Sequence, residues 1–116
     1  MDIAPNALGR DIPYLEANLW DLPSIRARYG FCVDVMEHIP PERVDQVLEN
    51  IQKSVTESVF FQIALFKDGG SNLVKTDSPL HLTVEKAEFW AEKMRKYFDV
   101  PYEDPGNRYY SCLSAV

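Results

Sequence analysis

The sequence is poor in the features that assign a function on sight. It has two cysteines, two histidines, no phosphate-binding loop and no apolar run near the roughly 20 residues that a membrane-spanning helix needs. Cys32 and Cys112 make no disulfide framework, and each lies in an apolar run, so we interpret both as buried thiols of a cytoplasmic protein. The first residues have neither the positive charge nor the apolar stretch of a signal peptide, which agrees with that location.

A basic surface is also missing. The net charge is −6 at pH 7 and the isoelectric point is near 4.8. This argues against a broad basic face that holds nucleic acid, so a nucleic-acid partner is not expected. What is present is ordinary for a soluble globular protein, with 46% hydrophobic and 26% charged residues. The length fits one domain, and we expect a single domain over residues 1–116.

The spacing of apolar residues predicts strands that alternate with helices. Short runs rich in β-branched and aromatic residues are typical of strands, and apolar residues three or four positions apart are typical of helices. This alternation indicates an α/β fold with a mostly parallel sheet and a C-terminal antiparallel hairpin. The predicted strands are residues 14–18, 31–35, 58–66, 100–102 and 109–116; the predicted helices are a short one near Pro5 and residues 24–29, 41–57 and 83–98; residues 67–82 form a long loop.

The segment from the second predicted strand into the helix after it is the most informative. The apolar run at residues 31–35 indicates a strand buried on both faces. Pro41 suits the first turn of the helix that follows, and Thr83 is placed to cap the later helix. The helix at residues 41–57 has one buried stripe, formed by Val44, Val47, Leu48, Ile51 and Val55.

Glu37 and His38 stand where this strand ends. In open α/β sheets, ligands bind beyond the carboxyl ends of the strands, so the pair is a candidate for general-base catalysis or substrate binding. The alternative is that both side chains only orient the turn into the next helix. We predict no metal site, because Asp34, His38 and His81 are far apart in sequence and lack a recognised ligand spacing.

Four segments resemble the class I S-adenosylmethionine-dependent methyltransferases. Residues 2–8, DIAPNAL, are similar to the end of that family's second strand, and residues 16–23, EANLWDLP, to the segment after its third. Residues 34–40, DVMEHIP, resemble its fourth-strand motif. His81, followed by a helix that bears a tryptophan, is similar to a segment of small methyltransferases from bacteria and their phages. The order of predicted elements agrees with the family.

The resemblance implies a Rossmann-like sheet and S-adenosylmethionine as the cofactor. Asp2 would hold the ribose hydroxyls, the Asn18 side chain would accept from the adenine amino group, and the Leu19 backbone N–H would meet the ring. Glu37 and His38 would approach the substrate. For Asp2 the alternative is a frayed terminal residue, and for Asn18 an ordinary turn residue.

One part of the family pattern is missing from the sequence. The first strand and its glycine-rich cofactor loop should precede Asp2, and none of the five glycines forms that motif after a strand. We therefore predict a truncated Rossmann-like sheet and a degenerate methyltransferase-like protein, in which the isolated chain does not bind the cofactor. It would act by binding another protein, as an inhibitor of phage type would, or a second copy of itself. The alternative is a methyltransferase whose site is completed by a second chain or by an N-terminal segment. Neither hypothesis involves a membrane.

Overall fold

The computed structural model describes residues 17–67 and 80–116. This part of the chain contains four strands, two α-helices and three short 3-10 helices. No helix in it has the length and apolar character to cross a bilayer. The elements in chain order are the 3-10 helix Leu19–Asp21, β1 Ala27–Val33, the 3-10 helices Met36–His38 and Pro41–Arg43, α1 Val44–Ser54, β2 Val55–Ala64, α2 Ala87–Tyr97, β3 Asp99–Pro105 and β4 Tyr109–Ala115.

The four strands form one sheet in the order β1-β2-β4-β3. The α/β fold and the C-terminal hairpin of β3 and β4 are confirmed. The prediction of a mostly parallel sheet is confirmed in part: β1 and β2 pair in parallel, whereas β4 runs antiparallel to both of its neighbours, so the described sheet is mixed. The connections between the strands explain why the sheet contains both parallel and antiparallel pairs. Helix α1 carries the chain back so that β2 can pair in parallel with β1, whereas the short turn between β3 and β4 permits only antiparallel pairing.

Both helices cover the same face of the sheet. The register places Cys32, Phe61 and Cys112 side by side on three neighbouring strands, and all three are buried in one core with residues of α1 and α2. The prediction that both cysteines are buried thiols is confirmed. The helices contribute the apolar stripe of α1 and the large side chains of α2: Val44, Val47, Leu48, Ile51, Trp90 and Met94.

The opposite face of the sheet is exposed in the described structure. Phe31, Phe60, Leu113 and Tyr102 lie in register across all four strands, and we call them the exposed row. Phe31 is 82% exposed, Tyr102 59% and Leu113 38%, and Phe60 between them is half-buried. The prediction that residues 31–35 form a strand buried on both faces is therefore wrong for this part of the chain. Since both described helices lie on one side, they cover only one face of the apolar run along β1.

The predicted helices at residues 41–57 and 24–29 are wrong where they run into β2 and β1, and the reason is the same in both cases. The predicted helix 41–57 ends at Ser54, and Val55 is the first residue of β2. No helix forms at residues 24–29, because β1 already begins at Ala27, which pairs with Val55. Parallel pairing with a neighbouring strand thus decides both boundaries, and Val55 is buried in the core as a strand residue.

Thr83 does not cap α2. The helix begins at Ala87 with Lys86 at the N-cap. Thr83 is buried, and its hydroxyl donates to the backbone carbonyl of Ile39 instead. Of the predicted strand 14–18, only Ala17 and Asn18 are described, and neither is in a strand. The predicted helix near Pro5 lies outside the described residues.

Candidate functional site

The chain turns sharply where β1 ends. Asp34 has a backbone φ of 57°, in the left-handed region that aspartate tolerates better than most residues. Its N–H still donates to the Gln62 carbonyl of β2 at 3.0 Å, so the turn begins directly at the sheet. The 3-10 helix Met36–His38 follows, with Met36 and Glu37 buried. Glu37 and His38 are thus held at the carboxyl end of a parallel strand, as predicted.

The segment before α2 is attached to this turn by backbone hydrogen bonds. The Glu37 carbonyl accepts from the N–H groups of Leu82 at 2.8 Å and Thr83 at 3.0 Å. The Thr83 hydroxyl donates to the Ile39 carbonyl at 2.6 Å. These three bonds join two segments more than forty residues apart in sequence, and they bring His81 to the same place as Glu37 and His38.

Each histidine is oriented by a backbone carbonyl. His38 Nδ1 lies 2.8 Å from the Leu80 carbonyl, and His81 Nδ1 lies 2.7 Å from the Phe66 carbonyl. The two rings meet edge to face, with centroids 4.8 Å apart. Since a carbonyl oxygen only accepts, each Nδ1 carries the proton, and in the neutral ring the lone pair is then on Nε2.

Glu37 is a buried carboxyl group with an unmet hydrogen-bonding requirement. Its side chain is only 1% exposed, and burial raises its pKa, while the nearby His38 and His81 oppose that rise. Its Oε2 atom has no hydrogen-bond partner among residues 17–67 and 80–116. An unsatisfied buried carboxylate is costly, and such groups concentrate at functional sites.

Glu37, His38 and His81 together form what we call the Glu37–His38–His81 cluster. One side-chain oxygen or nitrogen of each residue lies within 4.8 Å of those of the other two. Asp34, which the sequence analysis weighed beside the histidines, is exposed and is not one of the three. The separation in sequence of His38 and His81 argued against a site that contains both, yet the structure groups them with Glu37. The family resemblance was the signal that singled out His81.

An aromatic wall adjoins the cluster and was not anticipated from sequence. The Phe66 ring lies 5.5 Å from the His81 ring and 5.6 Å from the Tyr109 ring. The Arg108 guanidinium lies 4.2 Å from the centroid of Phe66. Phe66 follows β2 and Arg108 precedes β4, so this wall stands at the same end of the sheet.

Among the described residues, no hydrogen bond joins Asn18 or Leu19 to this cluster. Asp2 lies outside the described residues. Asn18 is exposed and precedes the 3-10 helix Leu19–Asp21, but its side chain makes no capping hydrogen bond. The Leu19 carbonyl accepts from the Asn50 side chain at 3.0 Å, which holds this segment against α1. The adenine-binding role of Asn18 and Leu19 stays a prediction.

Solved structures match the fold, although no family model matches the sequence and no curated protein matches it significantly. An O-methyltransferase family protein from Burkholderia thailandensis has a TM-score of 0.68 at 15% identity over 94% of this chain and 37% of its own. The protein PH0226 from Pyrococcus horikoshii OT3 has a TM-score of 0.73 at 11% identity, over 98% of this chain and 68% of its own. Magnesium protoporphyrin IX methyltransferase from Synechocystis PCC 6803, solved with bound S-adenosylmethionine, has a TM-score of 0.63 at 11% identity, over 96% of this chain and 49% of its own.

These likenesses show the fold alone, because the identities are low. The chain has a methyltransferase-like α/β fold. It spans about a third of the Burkholderia protein and about half of the Synechocystis enzyme.

Proposed function

We propose that this chain supplies the acceptor-binding part of an S-adenosylmethionine-dependent methyltransferase. The observation that carries the proposal is the buried Glu37 with His38 and His81 at the carboxyl ends of β1 and β2, in a methyltransferase-like fold. A chain that had lost its chemistry would gain stability by replacing a buried carboxyl group that has no partner for Oε2 in the described residues. Its presence favours an acceptor site over an inert scaffold.

The cluster would offer lone pairs to a methyl acceptor. In methyl transfer, the acceptor oxygen or nitrogen forms a bond to the methyl carbon as the bond to the sulfonium sulfur breaks, and the acceptor loses a proton. A carboxylate or a neutral imidazole nitrogen can receive that proton or hold the acceptor in line. The aromatic wall of Phe66 would shield one side of the site from water.

A further polypeptide segment is part of the proposal. The exposed row presents Phe31 and Tyr102 to solvent on a sheet whose other face the described helices cover. The matched structures are longer, and this chain spans 37% and 49% of two of them. We propose that the first strand and the glycine-rich loop come from a second chain or an N-terminal segment, which pairs beside β1 and packs on the exposed row.

A second candidate function is binding to another protein without methyl transfer. The same exposed row favours it, because an apolar sheet face in solution marks an interaction surface. The two candidates differ in whether the completed protein binds S-adenosylmethionine, so a binding measurement separates them.

The test is calorimetry with S-adenosylmethionine and its demethylated product. It would use this chain alone, at low and high concentration, and a chimera in which the N-terminal part of the Synechocystis enzyme precedes residue 17. We expect no binding by dilute chain and micromolar binding by the chimera. Asn18→Ala should weaken binding by the chimera, whereas Asn107→Ala, at the exposed hairpin turn, should not. Phe31→Lys should prevent the new segment from covering the sheet and abolish binding.

The outcomes distinguish the candidates. Binding that appears only as the chain self-associates, seen by light scattering, would identify a second copy as the completing chain. A chimera that folds by circular dichroism but does not bind would refute the methyltransferase proposal. If self-association through the exposed row persisted in that case, the protein-binding candidate would remain.

A further inference from the structure

We propose that Glu37, His38 and His81 bind a divalent first-row transition ion, with Zn²⁺ as the best match. The three side chains offer two imidazole nitrogens and one carboxylate oxygen, all within 4.8 Å of one another. Zn²⁺ takes this mixture of ligands, and two histidines with one carboxylate is a donor set that catalytic zinc and non-haem iron sites use. Mg²⁺ and Ca²⁺ prefer oxygen ligands and fit it poorly.

The tautomers of both histidines are those that metal binding through Nε2 requires. His38 Nδ1 donates to the Leu80 carbonyl and His81 Nδ1 donates to the Phe66 carbonyl. A metal-binding histidine usually donates its other ring N–H to a carbonyl or carboxylate, which fixes the ring and places the lone pair on the ligating nitrogen. Two histidines from separate segments show this arrangement in one place, and their rings are in contact.

Glu37 provides the second, independent observation. It is 1% exposed, and its Oε2 has no hydrogen-bond partner in the part of the chain that the structure describes. Without a cation, this atom is a net cost to the fold. A bound dication would satisfy the Glu37 carboxylate, which explains an acidic residue at this buried position.

The backbone already brings the ligands near their binding distances. Bonds of about 2.0–2.1 Å in a tetrahedral site put ligand atoms about 3.4 Å apart, so the widest separation would close by roughly 1.4 Å. The hydrogen bonds from Leu82 and Thr83 to the Glu37 carbonyl already hold the two segments together, so the remaining closure would fall to the Glu37 side chain and small shifts of the rings. Three protein ligands leave a coordination position open for a small oxygen or nitrogen ligand.

Metal binding by this chain does not depend on the proposed methyl transfer. If both proposals hold, the ion would be bound by lone pairs of Glu37, His38 and His81. The methyl acceptor would then contact the ion at its open coordination position and become more acidic there. That last step rests on the proposed function, so the test below measures metal binding without S-adenosylmethionine.

The experiment titrates the whole 116-residue chain, stripped with a chelator, with Co²⁺ while recording the visible absorption of the ion, and then displaces Co²⁺ with Zn²⁺. We expect one ion per chain. Glu37→Gln, His38→Gln and His81→Gln should each lower the affinity by more than about 100-fold, beyond the 10–100-fold typical of losing an outer-shell partner. Glu42→Gln is the matched control, since Glu42 is exposed on the next turn of the chain. The chain has no other histidine to compete for the ion.

Two further measurements keep the proposal testable if a variant unfolds. Zn²⁺ should raise the melting temperature of the natural chain, and a chelator should reverse this, because an ion that binds only the folded state stabilises it. Zn²⁺ should also protect both histidines of the natural chain from diethyl pyrocarbonate. For Glu37→Gln we expect opposite effects: equal or higher stability without metal and no response to Zn²⁺. The proposal is overturned if the natural chain does not bind Co²⁺ or Zn²⁺, or if folded ligand variants bind as tightly as the control.

Discussion

Replacing Thr83 by valine tests whether the candidate site is held together as the structure shows. Thr83 is 2% exposed, and its hydroxyl donates to the Ile39 carbonyl at 2.6 Å. Valine has nearly the same shape but no donor. Thr83→Val therefore leaves a buried carbonyl without this bond, while the Thr83 N–H can still donate to the Glu37 carbonyl.

The magnitude follows from two opposing contributions. An unsatisfied buried acceptor costs about 1–3 kcal/mol. The methyl group that replaces the hydroxyl returns up to about 0.8 kcal/mol through apolar burial. With the full return, the net loss is about 0.2–2.2 kcal/mol, and for a chain of this length that corresponds to a melting temperature about 1–9 °C lower.

Urea unfolding followed by circular dichroism and thermal melting would measure this loss. Thr56→Val is the matched control, because Thr56 is exposed on β2 and the same substitution should change stability by less than about 0.5 kcal/mol. If Thr83→Val were as stable as Thr56→Val, the bond between Thr83 and Ile39 would not hold the two segments, and the account of the site's geometry would be refuted.

Two further predictions concern acid stability and thiol reactivity. Hydrogen bonds from Lys93 and Tyr97 lower the pKa of Asp45 in the folded chain. The contribution of this carboxylate to folding stability is therefore present above its unfolded pKa near 3.9, and it is lost as the pH falls through the lower pKa of the folded state. Because Asp45 is partly exposed, Asp45→Asn should lower the free energy of unfolding by less than about 1 kcal/mol at neutral pH and by nothing in strong acid. Urea unfolding that gave the same loss of stability at both pH values would contradict this. Burial raises the pKa of Cys32 to about 12, with Glu37 adding to it, so this thiol should react with a disulfide reagent only as the chain unfolds. Rapid reaction of Cys32 in the folded chain, measured with Cys112→Ser present, would contradict its burial.

Local patterns predicted the elements that make their own contacts. The stripe of Val44, Val47, Leu48 and Ile51 predicted α1, and all four residues are buried against the sheet. The predicted C-terminal hairpin is present as β3 and β4, and the residues between these strands, Gly106, Asn107 and Arg108, include two types that favour turns. In such cases the spacing of residues close in sequence contains enough information, because the helix period and the turn chemistry are local properties.

Boundaries that depend on a distant partner were missed. Val55 continues the helical stripe in sequence, yet it begins β2 because the strand pairs with Ala27 of β1. Thr83 has the chemistry of a helix cap, yet its hydroxyl donates to Ile39. In both cases a contact between segments far apart in sequence outweighs the local preference.

The sequence by itself determined the α/β class, the buried stripe of α1, the C-terminal hairpin and the place of Glu37 and His38 at the end of a strand, because each depends on residues near one another in the chain. Only the tertiary structure decided that His81 joins Glu37 and His38, and that Phe31 faces solvent while Cys32 is buried. The reason is the packing of the sheet. Parallel strands bring their carboxyl ends together whatever the length of chain between them, and the side on which the helices pack decides which face of an apolar strand is covered.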